Sequence, residues 1–521
     1  MIIGFFFQVV SRVTFYIFIF PLCHVLTGDW FQATGPSGNF VSSDKAPSAF
    51  SVSQNEAVRW RIKLPSTGQG TPVVSGGRVF VTSHEEIIED SQMGSAILGM
   101  CFDARSGKEL WRRKIGGTRE TDLSSLFSDN TAASPVTDGK RVVFVNIGGT
   151  IKCFDYDGKE LWKHVWTPFG RHHARAHEPI LHDGKVILMH APRYDLPVSA
   201  TTKGGSQPLG RGKEFWTHLR TYDLKTGELV WQAEAGTSVH STSIMGVLPD
   251  GRPAILTGRG GGHKPPEEPY GLSLIDASNG KSLWDREIKG YAAAQNANWA
   301  GKAGHFFLGD EHRSVAIDTG EPLGGVSLTD GVSITRREGK GYETVTGAFR
   351  KSKKPITYFT NLLIGDYHYF RSFGGFFIGR VHLKSGQVEY LQVPVQVIRK
   401  PDREDEVVWD KSLPNDMKNA NGFTATQDKR NAGSGWGHVS SAPPVVVGDL
   451  IYFPTMIGMV YVLKWNAPVL NENALVSISD LGPAGETWTL SGLACTDGRL
   501  YARTLKELIC ISSSRPPAEN E

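Results

Sequence analysis

The sequence is poor in cysteine, with five in 521 residues, and no two of them are adjacent. So few in so long a chain do not make a disulfide framework, and the absence of Cys-x-x-Cys-His excludes a covalently attached c-type haem. Gly-x-Ser-x-Gly and His-Glu-x-x-His are also missing, which removes the usual signatures of serine hydrolases and zinc peptidases. Charge of one sign is lacking too. The 56 basic and 53 acidic residues leave +3, too little to draw the chain to nucleic acid or an anionic membrane through bulk electrostatics. Long hydrophobic runs are confined to residues 1–26, which hold no acidic residue and contain the stretch Val13–Leu22. That stretch is short for a bilayer span of ~20 residues and suits a secretory signal. Residues 1–26 are therefore expected to direct export, or to act as an N-terminal anchor if uncleaved, and they carry the only membrane contact expected. Glycine-rich Gly258–Gly262 has no helix pattern after it, so it does not read as a phosphate loop.

What the sequence has in quantity is glycine, 59 residues, and tryptophan, 13, and the two come together in one recurring phrase. Asp103-Ala-Arg-Ser-Gly107-Lys-Glu-Leu-Trp111 returns as Asp155-Tyr-Asp-Gly158-Lys-Glu-Leu-Trp162. It returns again as Asp223-Leu-Lys-Thr-Gly227-Glu-Leu-Val-Trp231 and Asp276-Ala-Ser-Asn-Gly280-Lys-Ser-Leu-Trp284. An apolar strand precedes each copy. The Asp can bond amides of a turn whose Gly supplies a positive φ, and the Trp on the returning strand is too large to bury in one hairpin. The tryptophans are 51, 69 and 53 residues apart, the spacing of a four-stranded unit with variable loops. Such a period in β-units points to a propeller.

Two incomplete pieces lie at the ends. Ala57–Leu64 is a lone strand carrying Trp60, while residues 493–511 make three strands without a fourth. Joined, they close the ring and remove an exposed edge. Seven blades lie between, so residues 57–511 are expected to form one all-β, eight-bladed propeller. It is preceded by an irregular segment, 27–56, and followed by a disordered tail, 512–521. Insertions are expected at about 84–97, 192–219, 329–355 and 396–433. The basic stretch 336–354 reads as a solvated loop. Blade five has no Trp after Asp318-Thr-Gly320, and in blade six Tyr390, four residues after Gly386, takes the Trp's place. Cys101, Cys153 and Cys510 fall at one strand position, occupied elsewhere by Thr221, Leu274, Ala316 and Val462, and read as small buried hydrophobes. Cys495 with Cys510 is the one pairing to check.

Loops that lead from each Trp strand into the next inner strand converge on one mouth of a propeller's channel. They carry Asn130; His172, His173, His177 and Glu178; His240; Asn296, Asn298 and Trp299; and Trp436 with His438. A mouth with convergent polar and aromatic groups is the default place for a ligand. Imidazoles there can bind metal or move protons, although the spacing of His172, His173 and His177 matches no established zinc motif.

The repeated phrase resembles the tryptophan-docking motif of pyrroloquinoline-quinone-type propellers, and Asp29-Trp30-x-Gln32-x-x-Gly35-Pro36 resembles the start of exported bacterial relatives. The likeness covers about residues 29–511. It implies that Trp60, Trp111, Trp162, Trp231 and Trp284, with Tyr390, staple neighbouring blades. It leaves two activities open: a noncatalytic scaffold of the cell envelope or periplasm that binds another protein or a small ligand, and a quinone- or metal-dependent oxidoreductase. The family's dehydrogenases hold pyrroloquinoline quinone with a vicinal Cys-Cys disulfide, a floor Trp and calcium. The missing Cys-Cys pair favours the scaffold, with no cofactor expected.

Overall fold

The computed structural model describes residues 28–86, 96–118, 129–166, 177–190, 212–237, 242–260, 270–291, 296–349, 356–357, 360–418, 424, 435–437 and 442–513. They contain no α-helix and form a ring of eight antiparallel blades. Blade one shows the plan, running from inner to outer strand through Val73–Ser75, Arg78–His84, Ile97–Asp103 and Glu109–Ile115. The innermost strands of blades two to eight are Val136–Thr137, Ile180–His182, Ile244–Val247, Asn298–Ala300, Leu362–Ile364, Val445–Val447 and Ala494–Thr496. Blade eight takes its outermost strand, Val58–Lys63, from the N-terminal side of the chain. Val58 pairs with Ile511 and Trp60 with Cys510, which closes the ring as expected.

The tryptophans occupy a constant place. Trp60, Trp111 and Trp162 lie directly across from Cys510, Cys101 and Cys153, and Trp231 and Trp284 across from Thr221 and Leu274. A β-bulge follows each pair and turns the indole toward the next blade. There Trp111 Nε1 donates to Tyr156 O at 2.8 Å, Trp162 Nε1 to Leu224 O at 3.0 Å and Trp284 Nε1 to Ile317 O at 2.8 Å. Trp60 reaches Ala104 O in the same way, at 3.2 Å. Each ring lies against the repeat glycine of that next blade. At Gly227 (φ +78°) an added Cβ would come within 2.7 Å of Trp162 ring atoms.

Blades five, six and seven depart from this pattern. In blade five, Gly320 N bonds Ala316 O as Gly107 N bonds Asp103 O, so Ala316 holds the repeat's Asp position. Ser314, rather than Ala316, is then the equivalent of Cys101, and across from it stands Gly324 in place of a Trp. Blade six lacks the bulge: Arg380 pairs with Glu389 and Gly379 with Tyr390 in unbroken register. One residue of slip reverses the faces of a strand. Tyr390 therefore turns back to blade five, where its hydroxyl donates to Leu328 O at 2.7 Å and its ring stacks on Phe349 at 3.9 Å. Glu389 faces blade seven instead. It pairs with buried Arg380 at 2.6 Å and accepts from Leu470 N, while Arg380 Nη1 donates to Ala467 O.

Of the stretch 336–354, residues 336–349 differ from the solvated loop expected, and 350–354 lie outside the described residues. Val332–Glu338 and Gly341–Gly347 form a hairpin whose first strand joins Val388–Gln392 in parallel, so blade six has six strands. The 396–433 insertion contains a second hairpin, Gln396–Ile398 with Glu406–Val408. Arg399 ties it to Asp405, Ile478 O and Asp480. The tail 514–521 and residues 1–27 lie outside the described residues.

The segment before Val58 has a built path. Trp30 bridges Val74 of blade one, Phe31 O accepts from Thr137 N of blade two, and Gln32 Oε1 accepts from Leu181 N of blade three. Val41–Ser42 then pairs in parallel with Val446–Val447 of blade seven. These contacts are with the second or third residues of the inner strands, so the segment crosses the channel toward the end at which those strands finish, with Trp30 fully buried. Further on, Pro47 O accepts from Tyr452, Ser48 O accepts from Ser477, and Phe50 N donates to Ser479 Oγ. Ser477 is blade seven's equivalent of the docking Trp, and this stretch of chain packs where an indole is missing.

Candidate functional site

The opposite end of the channel is where each outer strand hands over to the next inner strand. The stretches there are polar for a physical reason. Inner strands crowd round the axis, and the backbone amides that precede them must find partners outside their own blade. Thr131 Oγ1 accepts from Gln69 N at 3.0 Å, and Ser134 Oγ accepts from Thr71 N at 2.8 Å, joining blades one and two. Ser134 N donates to Glu178 Oε2 at 3.0 Å, joining two and three. From blade eight, Ser491 donates to Gln69 O at 2.6 Å, and its neighbour Gly492 N donates to Thr71 Oγ1 at 2.9 Å.

His177 joins blades three and four. Ser243 donates to Thr257 Oγ1 at 2.7 Å, so its oxygen is left to accept from His177 Nε2 at 2.9 Å. Burial pushes the His177 imidazole down to about 4, so it is neutral near pH 7. Asn296 and Asn298 join blades five and six. Asn296 Oδ1 accepts from Asn361 N at 3.1 Å, and Asn298 Nδ2 donates to Asn361 Oδ1 at 2.5 Å. Asn130, His177, Glu178, Asn296 and Asn298 are all buried. Trp299 is half-buried against Gly246 of blade four, with its Nε1 donating to Gly301 O at 2.9 Å.

Trp436 is buried as well. Its Nε1 donates to Ser372 O at 2.9 Å, and its carbonyl accepts from Arg371 Nη1 at 3.0 Å. Arg371 also donates to Pro454 O and Ala442 O, tying blade six to blade seven, and burial pushes its guanidinium down to about 10. His172, His173, His240 and His438 lie outside the described residues. The structure thus brings Asn296 and Asn298 together and sets Asn130, His177 and Trp436 at separate seams of the ring.

Three features of this end escaped the sequence reading. Asp129 accepts from Thr131 N at 2.8 Å and sits 3.3 Å from His84. Burial alone would raise the Asp129 carboxyl, but His84 and the Thr131 bonds outweigh it and hold it below its ordinary range. Arg503, at the end of a blade-eight strand, donates to Thr82 O of blade one at 2.5 Å. Asn361, with His305, His312 and His368 beside it, has no motif spacing; an isolated Asn just before a short apolar strand was the available signal.

The donor set implied by quinone and calcium does not match the described residues. The sequence has no vicinal cysteines. Among the described residues no group of three His, Cys, Asp or Glu is placed to hold a metal. The four described cysteines are free, Cys495 and Cys510 included. An open cleft of about 570 Å³ lies on the rim between blades four and five, lined by Arg286, Glu311, Arg313 and Glu321 among others. Four of its charges are paired, Arg286 with Glu321 and Arg313 with Glu311.

The family model described as "Outer membrane protein assembly factor BamB" matches residues 97–300. That span runs from the third strand of blade one to the inner strand of blade five, and its repeats are similar to those of pyrroloquinoline-quinone-like propellers. No curated protein sequence matches the chain. Among solved structures, a quinohemoprotein alcohol dehydrogenase from Pseudomonas putida is similar over 95% of this chain and 82% of its own, with a TM-score of 0.51 and 11% identity. A europium-containing methanol dehydrogenase is similar over 91% of this chain and 89% of its own, at TM-score 0.50 and 11% identity. BamB from Moraxella catarrhalis covers 75% of this chain with 97% of its own, at TM-score 0.36 and 12% identity. Likeness at these identities concerns the fold.

Proposed function

We propose that this chain is an exported propeller that serves as a noncatalytic binding scaffold in the cell envelope, offering the channel mouth to another protein or a small ligand. One observation carries the reading. The polar side chains that open the inner strands, where a quinone or metal would need donors, spend their hydrogen bonds on neighbouring blades, as Glu178 does on Ser134 and His177 on Ser243. The family model's description, an outer-membrane assembly factor, supports an envelope protein as the partner. The apolar, acid-free residues 1–26 support export.

The test is reconstitution of the purified chain with pyrroloquinoline quinone and Ca²⁺, followed by dye reduction with alcohols or sugars and a direct measurement of quinone binding. The expected result is neither binding nor turnover. Saturable quinone binding with turnover would replace the scaffold by an oxidoreductase. Metal analysis of wild type beside a His172/His173/His177→Ala triple variant is expected to show the same content in both. Loss of a stoichiometric metal in the variant would place a metal centre at the mouth.

A further inference from the structure

The seam between blades five and six has no indole staple. Gly324 stands at the docking position, and Val326 rests on Gly386 in its stead. The interior of this seam holds His305 and His312 from blade five and His368 from blade six, all three buried. His368 Nε2 is 2.7 Å from Asn361 Oδ1, which can only accept, so Nε2 carries the proton. His368 Nδ1 must then accept, and it does so from His312 Nε2 at 3.0 Å. The His305 ring stacks on His312 with centroids 5.4 Å apart, and His305 Nδ1 has no hydrogen-bond partner. Phe307 and Phe370 close the cluster, Phe307 lying 4.6 Å from His368 and 4.8 Å from Phe370.

Among the described residues no counter-ion faces these rings. Their strand partners are Asn298 and Ser314 beside His305, Phe307 and Val326 beside His312, and Leu363 and Val381 beside His368. Glu311 and Arg313, which flank His312 in sequence, pair with each other on the exposed face. Burial alone acts on His305, and the ionisable groups acting on His312 and His368 are the other imidazoles. A proton on His368 Nδ1 would set N–H against N–H, and a proton on His305 or His312 would be a buried charge without a partner.

We infer that the blade five–six seam is an acid-sensitive joint: protonation of His305, His312 and His368 parts these two blades while the indole-stapled seams stay closed. Burial already pushes His305 down to about 4 and His312 to about 3, and holds His368 well below its usual range. A lowered value in the closed state means the open state binds protons more readily. The closed seam is therefore fully favoured above pH ~6.5 and loses that advantage as pH falls toward ~4. Between pH 7.5 and 5.0 each histidine shifts the opening equilibrium by roughly thirtyfold.

Hydrogen exchange of the full chain, read by mass spectrometry at the two pH values and corrected for intrinsic rates, tests this. On going to pH 5.0, strands Ala303–Leu308, Glu311–Ala316 and Tyr367–Arg371 are expected to gain at least thirtyfold more opening than blade-eight strands Arg499–Arg503 and Glu507–Ile511, which follow only the global stability. An equal change in every blade, or no change at the seam, would overturn the inference. His368→Gln keeps a donor for Asn361 and cannot titrate, so it should cut the pH response of the seam by about thirtyfold. A response as large as wild type would also overturn it, and if that variant does not fold the wild-type comparison decides alone.

Discussion

Gly227 and Gly251 share a left-handed backbone, with φ of +78° and +88°, yet a methyl group added to each would meet different surroundings. At Gly251 nothing lies within 4 Å, whereas at Gly227 the methyl would press on the Trp162 ring. Gly251→Ala is expected to cost about 1–2 kcal/mol, the strain of a positive φ. Gly227→Ala adds about 1–3 kcal/mol of overpacking, and urea unfolding of both variants should separate them by that margin. A second prediction concerns the buried pair of blade six. Glu389→Gln leaves the Arg380 guanidinium buried with its charge unpaired, and is expected to lower stability by about 3–5 kcal/mol in the same assay. Tyr390→Phe, which loses one hydrogen bond to Leu328 O, should cost about 1 kcal/mol. The spacing Gly386-x-x-x-Tyr390 gave no warning of this reversal. Sequence periodicity registers the interval between residues, while a bulge decides which face of the strand that interval lands on.

At the scale of elements, the repeated turns were readable because Asp, Gly and Trp each answer a separate local demand. The hairpin Val332–Gly347 alternates and turns at Gly339-Lys340-Gly341, but its basic residues Arg336, Arg337 and Lys340 give it the composition of a solvated loop. The segment 28–56 was unreadable for another reason. Its order comes from contacts with blades hundreds of residues away, such as Tyr452 with Pro47 and Ser479 with Phe50. Trp30→Ala is expected to cost about 3–5 kcal/mol through the cavity left at the end of the channel. Thermal unfolding would show it, and a loss under 1 kcal/mol would mean that the segment contributes little to the ring. The candidate mouth was legible as a set of loops. The engagement of its side chains with neighbouring blades was not, since hydrogen bonds such as Ser134 N to Glu178 Oε2 join stretches with no shared motif.

For the whole molecule, buried titratable groups set the response to reagents and acid. Burial pushes the Cys101 and Cys153 thiols up to about 12 and Cys510 to about 11, and Cys495 well above its usual range. These four are expected to be inert to a thiol reagent in the native ring and to react only as it unfolds, with reductant leaving the melting temperature unchanged. His190, pushed down to about 3 by burial and by Arg220, joins His177, His305 and His312 as groups that take up protons on unfolding. Global stability should therefore fall below pH ~6.5 by up to about 1.4 kcal/mol per pH unit for each of them, seen as lower urea midpoints at pH 6.0 and 5.0 than at 7.5. The pairing of Val58 with Ile511 also governs the order of events in synthesis. The clasp Val58–Lys63 is made before any complete blade and its mate Glu507–Ile511 after the other seven, so a chain emerging from its amino end carries those blades unlatched until that mate appears. Any chain cut short before Glu507–Ile511 would leave blade one without its neighbour, an exposed edge that cellular proteases and chaperones are equipped to find.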